Sequence, residues 1–505
     1  MVAQDASIDK VPQLNDVVKE LSEYVLQAAK EGVAADQVEQ DIFRNVLQIG
    51  RLAMSEFLGL QGTGDLGPSV RLPDGKVVKR LKETRSRVYM TIFGEFKLER
   101  TVYGTREGQK IDWVPLDDRL SLPESKFSYL LQDWDQMIAT DEPYQKVSTV
   151  LERILGIGQH VDSLERMSRQ MTDDAEAFCW SREAPAAEEE GPLLVFTADG
   201  KGVPIRRAAD AAVIHDHQHK PGPKPDRKKM ATLGAVYTVD RFARTAQQVI
   251  DALFADPAQD RPDWRRPEPR HKHVYASLNY QDADGEMIDG QVSVFGWIAE
   301  EVKARDPQGN KEKVCIMDGQ ESLWNINAAF QQHVSTTEVL DLLHVTPRIW
   351  RLAHIFCPRN DKTTERFVRQ RVLCILEGGV DSVVRGIRRM SKTRHLAAAQ
   401  RRVVATICNY FQKNKQRMRY DVFLERGYPI ASGVIEGACR HVVKDRLERT
   451  GMSWTIRGAR AMLLLRAIFT TDQWNDYMKY RTQREQQRIH PYRKIAEQAE
   501  WPIAG

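Results

Sequence analysis

Hydrophobic positions recur along the first sixty residues with the three-and-four spacing of helices. Leu14, Val17, Val18, Leu21, Tyr24, Val25 and Ala28 form one apolar stripe, which predicts an amphipathic helix. Val38, Ile42, Phe43, Val46, Ile49, Leu52, Ala53 and Phe57 form a second. Asp36 opens that helix as an N-cap with Glu39 three residues on, close to a capping box, and the Gly-rich stretch 59–67 ends it. Residues 88–103 (VYMTIFGEFKLERTVY) change the pattern to two strands broken at Phe93-Gly94, a hairpin. Helical spacing returns over 145–155 and from about 161, on either side of Gly156-Ile157-Gly158. Two helices around a short glycine turn have the outline of a helix-turn-helix. Its second helix would present His160, Ser163, Arg166, Ser168 and Arg169 to a groove, although a plain helical hairpin has the same pattern. APAAEEEG at 184–191 then reads as a linker.

The next apolar run, 193–196, predicts a strand buried on both faces. Asp199-Gly-Lys-Gly follows and predicts a turn into a second short strand, 203–207. Residues 230–239 resume a strand on β-branched content, and 292–302 supply a helix. KVCIM at 313–317 is another short buried strand, ending on Asp318-Gly319. A third run, 339–343, contains Asp341 and leads into His344. A helical stretch from about 365 to 416 precedes YPIASGVIEGACRHVVKDRLERTGMSW at 428–454.

A chain of 505 residues can bury several cores, so two to four domains are expected. The formal charge is only +4, from 74 basic and 70 acidic residues, so any polyanion partner must be met by local patches. The six cysteines form no C-x-x-C pair and sit in apolar segments, as reduced cysteines do. With neither a signal peptide nor a membrane-length apolar run in the sequence, a cytoplasmic, nucleoid-associated protein with no membrane partner is expected. His215, His217 and His219 lie in a Pro-Gly-rich basic loop, which reads as a solvated loop touching a polyanion and not as a zinc site.

Asp-Gly after one strand is ordinary turn chemistry. Two strands of one region that both finish in Asp-Gly invite a second reading. Glu436 shares a helix face with Arg440 and Val443. As an exposed i,i+4 pair it would contribute only ~0.3–0.5 kcal/mol. Yet Ile430, Ala431, Gly433, Val434, Ile435 and Ala438 surround it with small and apolar residues. Were Asp199, Asp318 and Glu436 gathered together, like charges ~4 Å apart would repel by roughly 4 kcal/mol at an effective dielectric of about 20. Only cations would compensate them, and oxygen donors select Mg²⁺ or Mn²⁺. Two such ions ~3.5–4 Å apart clamp the attacking and leaving oxygens of a phosphoryl displacement.

Asp199-Gly-Lys-Gly-Val-Pro, the strand-ending Asp318-Gly, the Asp341-x-x-His344 pair and the SGVIEGACRHVVKDRLERTGMSW block resemble bacterial insertion-sequence transposases of the ISKra group, over roughly residues 85–475. The resemblance implies a DDE transposase with a ribonuclease H-like fold. The expected fold class is multidomain α+β. A helical N-terminal part with a β-hairpin and helix-turn-helix precedes a mixed α/β sheet, which an all-helical insertion interrupts. The implied divisions are an N-terminal helical region, 1–84; a DNA-binding region, 85–183; a catalytic domain in two parts, 191–347 and 426–475; a helical insertion, 348–425; and a basic tail, 476–505. Asp199, Asp318 and Glu436 would be the catalytic and metal-binding carboxylates, holding two Mg²⁺ or Mn²⁺ ions, with Asp341 and His344 ordering the site. Relatives carry a cysteine-paired zinc element after the hairpin; residues 103–110 have no cysteine, so no structural zinc is expected.

Lys201, Arg206, Arg207, Arg440, Lys444 and Arg446 would hold phosphates flanking the scissile bond, and Trp454 would stack on an end base or fill a core. The expected partners are double-stranded DNA, both terminal inverted repeats and target, and a second copy of the chain in a homodimer or higher oligomer. Two alternatives stay open: a nuclease of the same fold that cuts without joining, and an inactive DNA-binding regulator.

Overall fold

The computed structural model describes residues 13–108, 110–206, 228–255, 266–357, 362–499 and 501. It divides into two compact units, Met1–Met167 with Asp476–Gly505, and Ser168–Asn475. No described helix is long and apolar enough to cross a membrane.

In the first unit, helices Leu14–Glu31 and Ala35–Leu60 follow one another through Gly32, whose φ of 67° gives the left-handed C-cap that ends the first helix. Strands Arg85–Thr91 and Gly94–Arg100 form the hairpin, Arg85 opposite Arg100, and bury Tyr89 and Leu98 with Leu58 and Leu122. Helices Tyr144–Leu155 and Val161–Gln170 flank the turn that begins at Gly156 (φ 68°). The end of the chain belongs to this unit and is no loose tail. Ala496 joins Leu72, Val78, Tyr103 and Trp113 in one apolar cluster. Nδ1 of buried His490 lies 2.8 Å from Asp118 Oδ1, and its Nε2 lies 2.7 Å from the Leu122 carbonyl oxygen.

The second unit is built on a mixed five-stranded sheet of Leu193–Pro204 (β1), Lys228–Val239 (β2), Arg270–Leu278 (β3), Glu312–Met317 (β4) and Thr336–Leu340 (β5). Their order is β5-β4-β1-β2-β3, with β1, β2 and β3 antiparallel and β4 and β5 running parallel to β1. Helix Gly290–Arg305 covers β2 and β3 on one face, where Trp297 stacks on Tyr275. Val195, Tyr237, Val314, Ile316 and Val339 point to the other face, alternation dividing the apolar runs between two cores. There they join Val368, Val372, Ile375, Val384 and Val404 in a single cluster. The helices Leu342–Phe356, Lys362–Leu376, Val380–Thr393 and Ala398–Asn414 therefore complete the sheet's core, although the sequence presents them as an insertion.

Two expectations are corrected here. Asp199-Gly-Lys-Gly is not a turn, because β1 runs through it and pairs with β2 from Leu193↔Val239 to Pro204↔Lys228. The reversal between β1 and β2, with Arg207 and the three histidines, falls outside the described residues. Nor is 184–191 a free linker. The carboxylate of Glu190 is buried and accepts from Arg305 Nε at 2.5 Å and from Lys311 Nζ. Helix Thr172–Ser181, placed by the sequence with the DNA-binding region, packs on Ile456–Phe469 in the second unit.

Candidate active site at the sheet edge

Register gathers the acidic residues. Met317 of β4 pairs with Ala198 of β1 on one side and with Leu340 of β5 on the other. The next residue along each chain is an aspartate: Asp199, Asp318 and Asp341. They form a row across three adjacent parallel strands, which lie about 4.8 Å apart.

Each aspartate is held by a backbone N–H one or two residues further along its own chain. Asp199, half-buried, accepts from Gly200 N at 2.7 Å through Oδ1 and from the Cys439 thiol at 3.5 Å through Oδ2. Burial, with the Asp199 carboxylate beside it, pushes the Cys439 thiol up and keeps it protonated as that donor. Asp318 Oδ1 accepts from Gln320 N at 2.8 Å, and its carbonyl accepts from Trp324 Nε1 at 2.6 Å. Asp341 is 2% exposed and caps helix Leu342–Phe356, accepting from Leu343 N at 2.8 Å and from Ser432 N at 3.3 Å. Burial raises its carboxyl to about 6, against the lowering effect of those two N–H groups.

Glu436 reaches the row from helix Gly433–Ala438. Its Oε1 lies 4.0 Å from His344 Nε2, on the first turn of the helix that Asp341 caps. Asp341, His344 and Glu436 bring ligand atoms within 4.8 Å of one another, the one group of metal-binding character among the described residues. The structure thus draws the Asp341-x-x-His344 pair closest to Glu436, whereas Asp199 and Asp318 stand beside that trio in the row. Arg440 does not pair with Glu436; it leans toward Asp445, 3.9 Å away.

The helix carrying Glu436 continues as a π-helix over Cys439–Lys444. A wider turn of this kind re-aims the residues after it. Buried Arg466 supplies donors: its Nε lies 2.8 Å from the His441 carbonyl oxygen and 3.1 Å from that of Val442. Sequence spacing carries no signal for this arrangement. Tyr410 was missed as well. It comes from helix Ala398–Asn414, stacks under Arg348 at 3.8 Å, and lies so close to Gly319 that a Cβ there would be 2.2 Å from its ring. Burial raises its phenol to about 12, with Asp318 and Asp341 adding to the shift.

The basic residues divide. Arg166 and Arg169 are exposed on helix Val161–Gln170. Arg440 and Lys444 are exposed, Lys201 is half-buried, and Arg206 is exposed with its Nε 2.8 Å from the Ser453 carbonyl. Arg446 and Trp454 are corrected as DNA contacts. Arg446 is fully buried, lies over the Trp454 ring at 4.9 Å and meets Met452 Sδ at 3.0 Å. Trp454 is itself buried and donates to the Leu447 carbonyl at 3.1 Å. A cation and an indole sealed against each other leave no face for a base or phosphate.

No family model matches the chain, and no curated protein does. Among solved structures, the Drosophila P element transposase strand transfer complex overlaps 70% of this chain and 81% of its own, at 11% identity and a TM-score of 0.24. An overlap that loose carries no argument, and the functional reading stands on the site.

Proposed function

We propose that the chain is a DNA transposase of the DDE type, with a ribonuclease H-like catalytic unit, akin to the ISKra group that its sequence resembles. The observation that carries the reading is the register row Asp199–Asp318–Asp341, with Glu436 and His344 facing it. The sheet order β5-β4-β1-β2-β3, with only β2 antiparallel to the rest, is the arrangement expected of that catalytic fold.

The donor set suits a hard divalent cation: carboxylate oxygens close enough to repel one another, with one imidazole beside them. Asp199, Asp318 and Glu436 would hold Mg²⁺ or Mn²⁺, with Asp341 and His344 completing or ordering the set. Such ions supply activation of a water or 3′-hydroxyl and stabilisation of the departing oxygen. The chain's own residues orient that chemistry. The Cys439 thiol fixes one Asp199 oxygen, and Ser432 N fixes one Asp341 oxygen. Arg206, Arg440 and Lys444 would hold flanking phosphates, and Arg166 and Arg169 would hold the inverted repeats.

A strand-cleavage and strand-transfer assay on DNA bearing the mobile element's own ends, with Mg²⁺, tests the reading. Asp318→Asn and Glu436→Gln should abolish both reactions while end binding persists. Wild-type activity in those variants would refute the assignment. Cleavage without joining by the wild type would make it a nuclease, and binding without cleavage would make it a regulator.

A further inference from the structure

Helix Ala35–Leu60 is apolar around most of its circumference, and its own chain covers two of its sides. Val38 and Ile42 line the contact with Val25 and Ala28 of the preceding helix. Met54 and Leu58 pack with Tyr89, Phe96 and Leu98 of the hairpin. The third side carries Phe43, Val46, Ala53, Phe57 and Leu60, all exposed. Their spacing keeps them on one heptad seam, and the position between Val46 and Ala53 is Gly50, over which the Phe93 ring lies. Phe43 is 45% exposed, Val46 49%, Phe57 47% and Leu60 39%. Beside the seam, an open groove of about 650 Å³ separates the two helices, lined by Val25, Ala29, Val38, Ile42, Phe43 and Val46.

A helix that is apolar on three sides is normally enclosed on three sides. Here the two helices fully bury only Val17, Ala28 and Leu58 between them. Side chains of these sizes at that exposure leave on the order of 400–500 Å² of apolar area per copy. Two copies face to face would remove roughly 900 Å², and a polar rim brings that to the ~1,000 Å² of a specific interface. An isologous contact needs one self-complementary surface, and a seam of large side chains beside an open groove supplies knobs and holes on the same copy.

We propose that this face is the interface between two copies of the chain, the Phe43–Leu60 seam of each lying against the seam and groove of the other. The proposal does not depend on the reading of the acidic row. The test is sedimentation equilibrium of the full-length chain, without DNA, across a wide concentration range. The wild type should be a dimer, and Val46→Glu combined with Phe57→Glu should be a monomer with unchanged circular dichroism. The milder pair Val46→Gln and Phe57→Gln should weaken association at least tenfold, which keeps the test informative should the charged pair unfold. Arg44→Glu, off the seam, should leave the dimer intact. A wild type that stays monomeric, whether alone or because it holds some other protein on this face, overturns the proposal; so does a dimer that survives both seam pairs. Mass is read without cleavage, so failure here is separable from failure of the transposase reading.

Discussion

Replacing Arg466 by methionine removes the guanidinium that satisfies the π-helical turn behind Glu436 while keeping an apolar stem of similar length. Arg466 is 2% exposed, and its donors meet the carbonyls of His441 and Val442. Each buried carbonyl left without a donor costs about 1–3 kcal/mol. Two such groups, partly relieved where the turn tightens to α-helical bonding, give an expected loss of about 2–5 kcal/mol. Urea unfolding of the full chain, followed by circular dichroism and tryptophan fluorescence, should show the earlier midpoint in the transition of the Ser168–Asn475 unit, at an unchanged slope. Arg466→Lys restores at most one of the bonds and should fall between wild type and Met. Because the turn anchors the far end of the helix that carries Glu436, the same variant should lose cleavage rate at saturating DNA and keep its end binding. A stability change under about 0.5 kcal/mol for Met would refute the reasoning, since it would mean these carbonyls do not need Arg466.

Three other outcomes are expected. Burial pushes the Asp135 carboxyl up to about 7, although Gln159 Nε2 donates to its two oxygens at 3.0 and 2.8 Å. The folded state keeps a proton that the unfolded chain releases above about pH 4, so stability falls as pH rises toward 7. Asp135→Asn should remove that slope and gain up to about 4 kcal/mol at pH 8 by thermal melts; a constant offset from pH 4.5 to 8 would contradict it. Glu190→Gln leaves Arg305 and Lys311 without their shared carboxylate, and about 3–5 kcal/mol should be lost in urea. A loss within the noise of a surface substitution would mean that 184–191 is the linker its composition suggests. Truncation after Asn475 removes Ala496 from its cluster and His490 from Asp118; the Met1–Met167 unit should then become protease-sensitive, and an unchanged digestion pattern would show the tail to be dispensable.

Periodicity and punctuation by themselves located the apolar centres of four sheet strands and the carboxylates beside three of them, while the strand Arg270–Leu278 escaped them. Leu193–Phe196, Val314–Met317 and Val339–Leu340 are apolar because both faces of the sheet are covered, and that demand is written locally. The small residues around Glu436 and the first two helices are legible for the same reason, as is the hairpin broken at Gly94. Partners are not local. Asp199-Gly-Lys-Gly has the composition of a turn, and only pairing with β2 makes it strand. The alignment of Asp199, Asp318 and Asp341 is a register that sets one segment beside two others lying more than a hundred residues further along, and no spacing rule encodes it. Burial divided the cations: Arg440 and Lys444 stay in solvent, while Arg446 and Arg466, from the same region of sequence, are buried in the packed interior. Which polar group meets which is decided when the backbone and side chains compete for donors in a packed interior, so the π-helical turn, Tyr410 beside Gly319 and the structural tail emerge only from the tertiary structure.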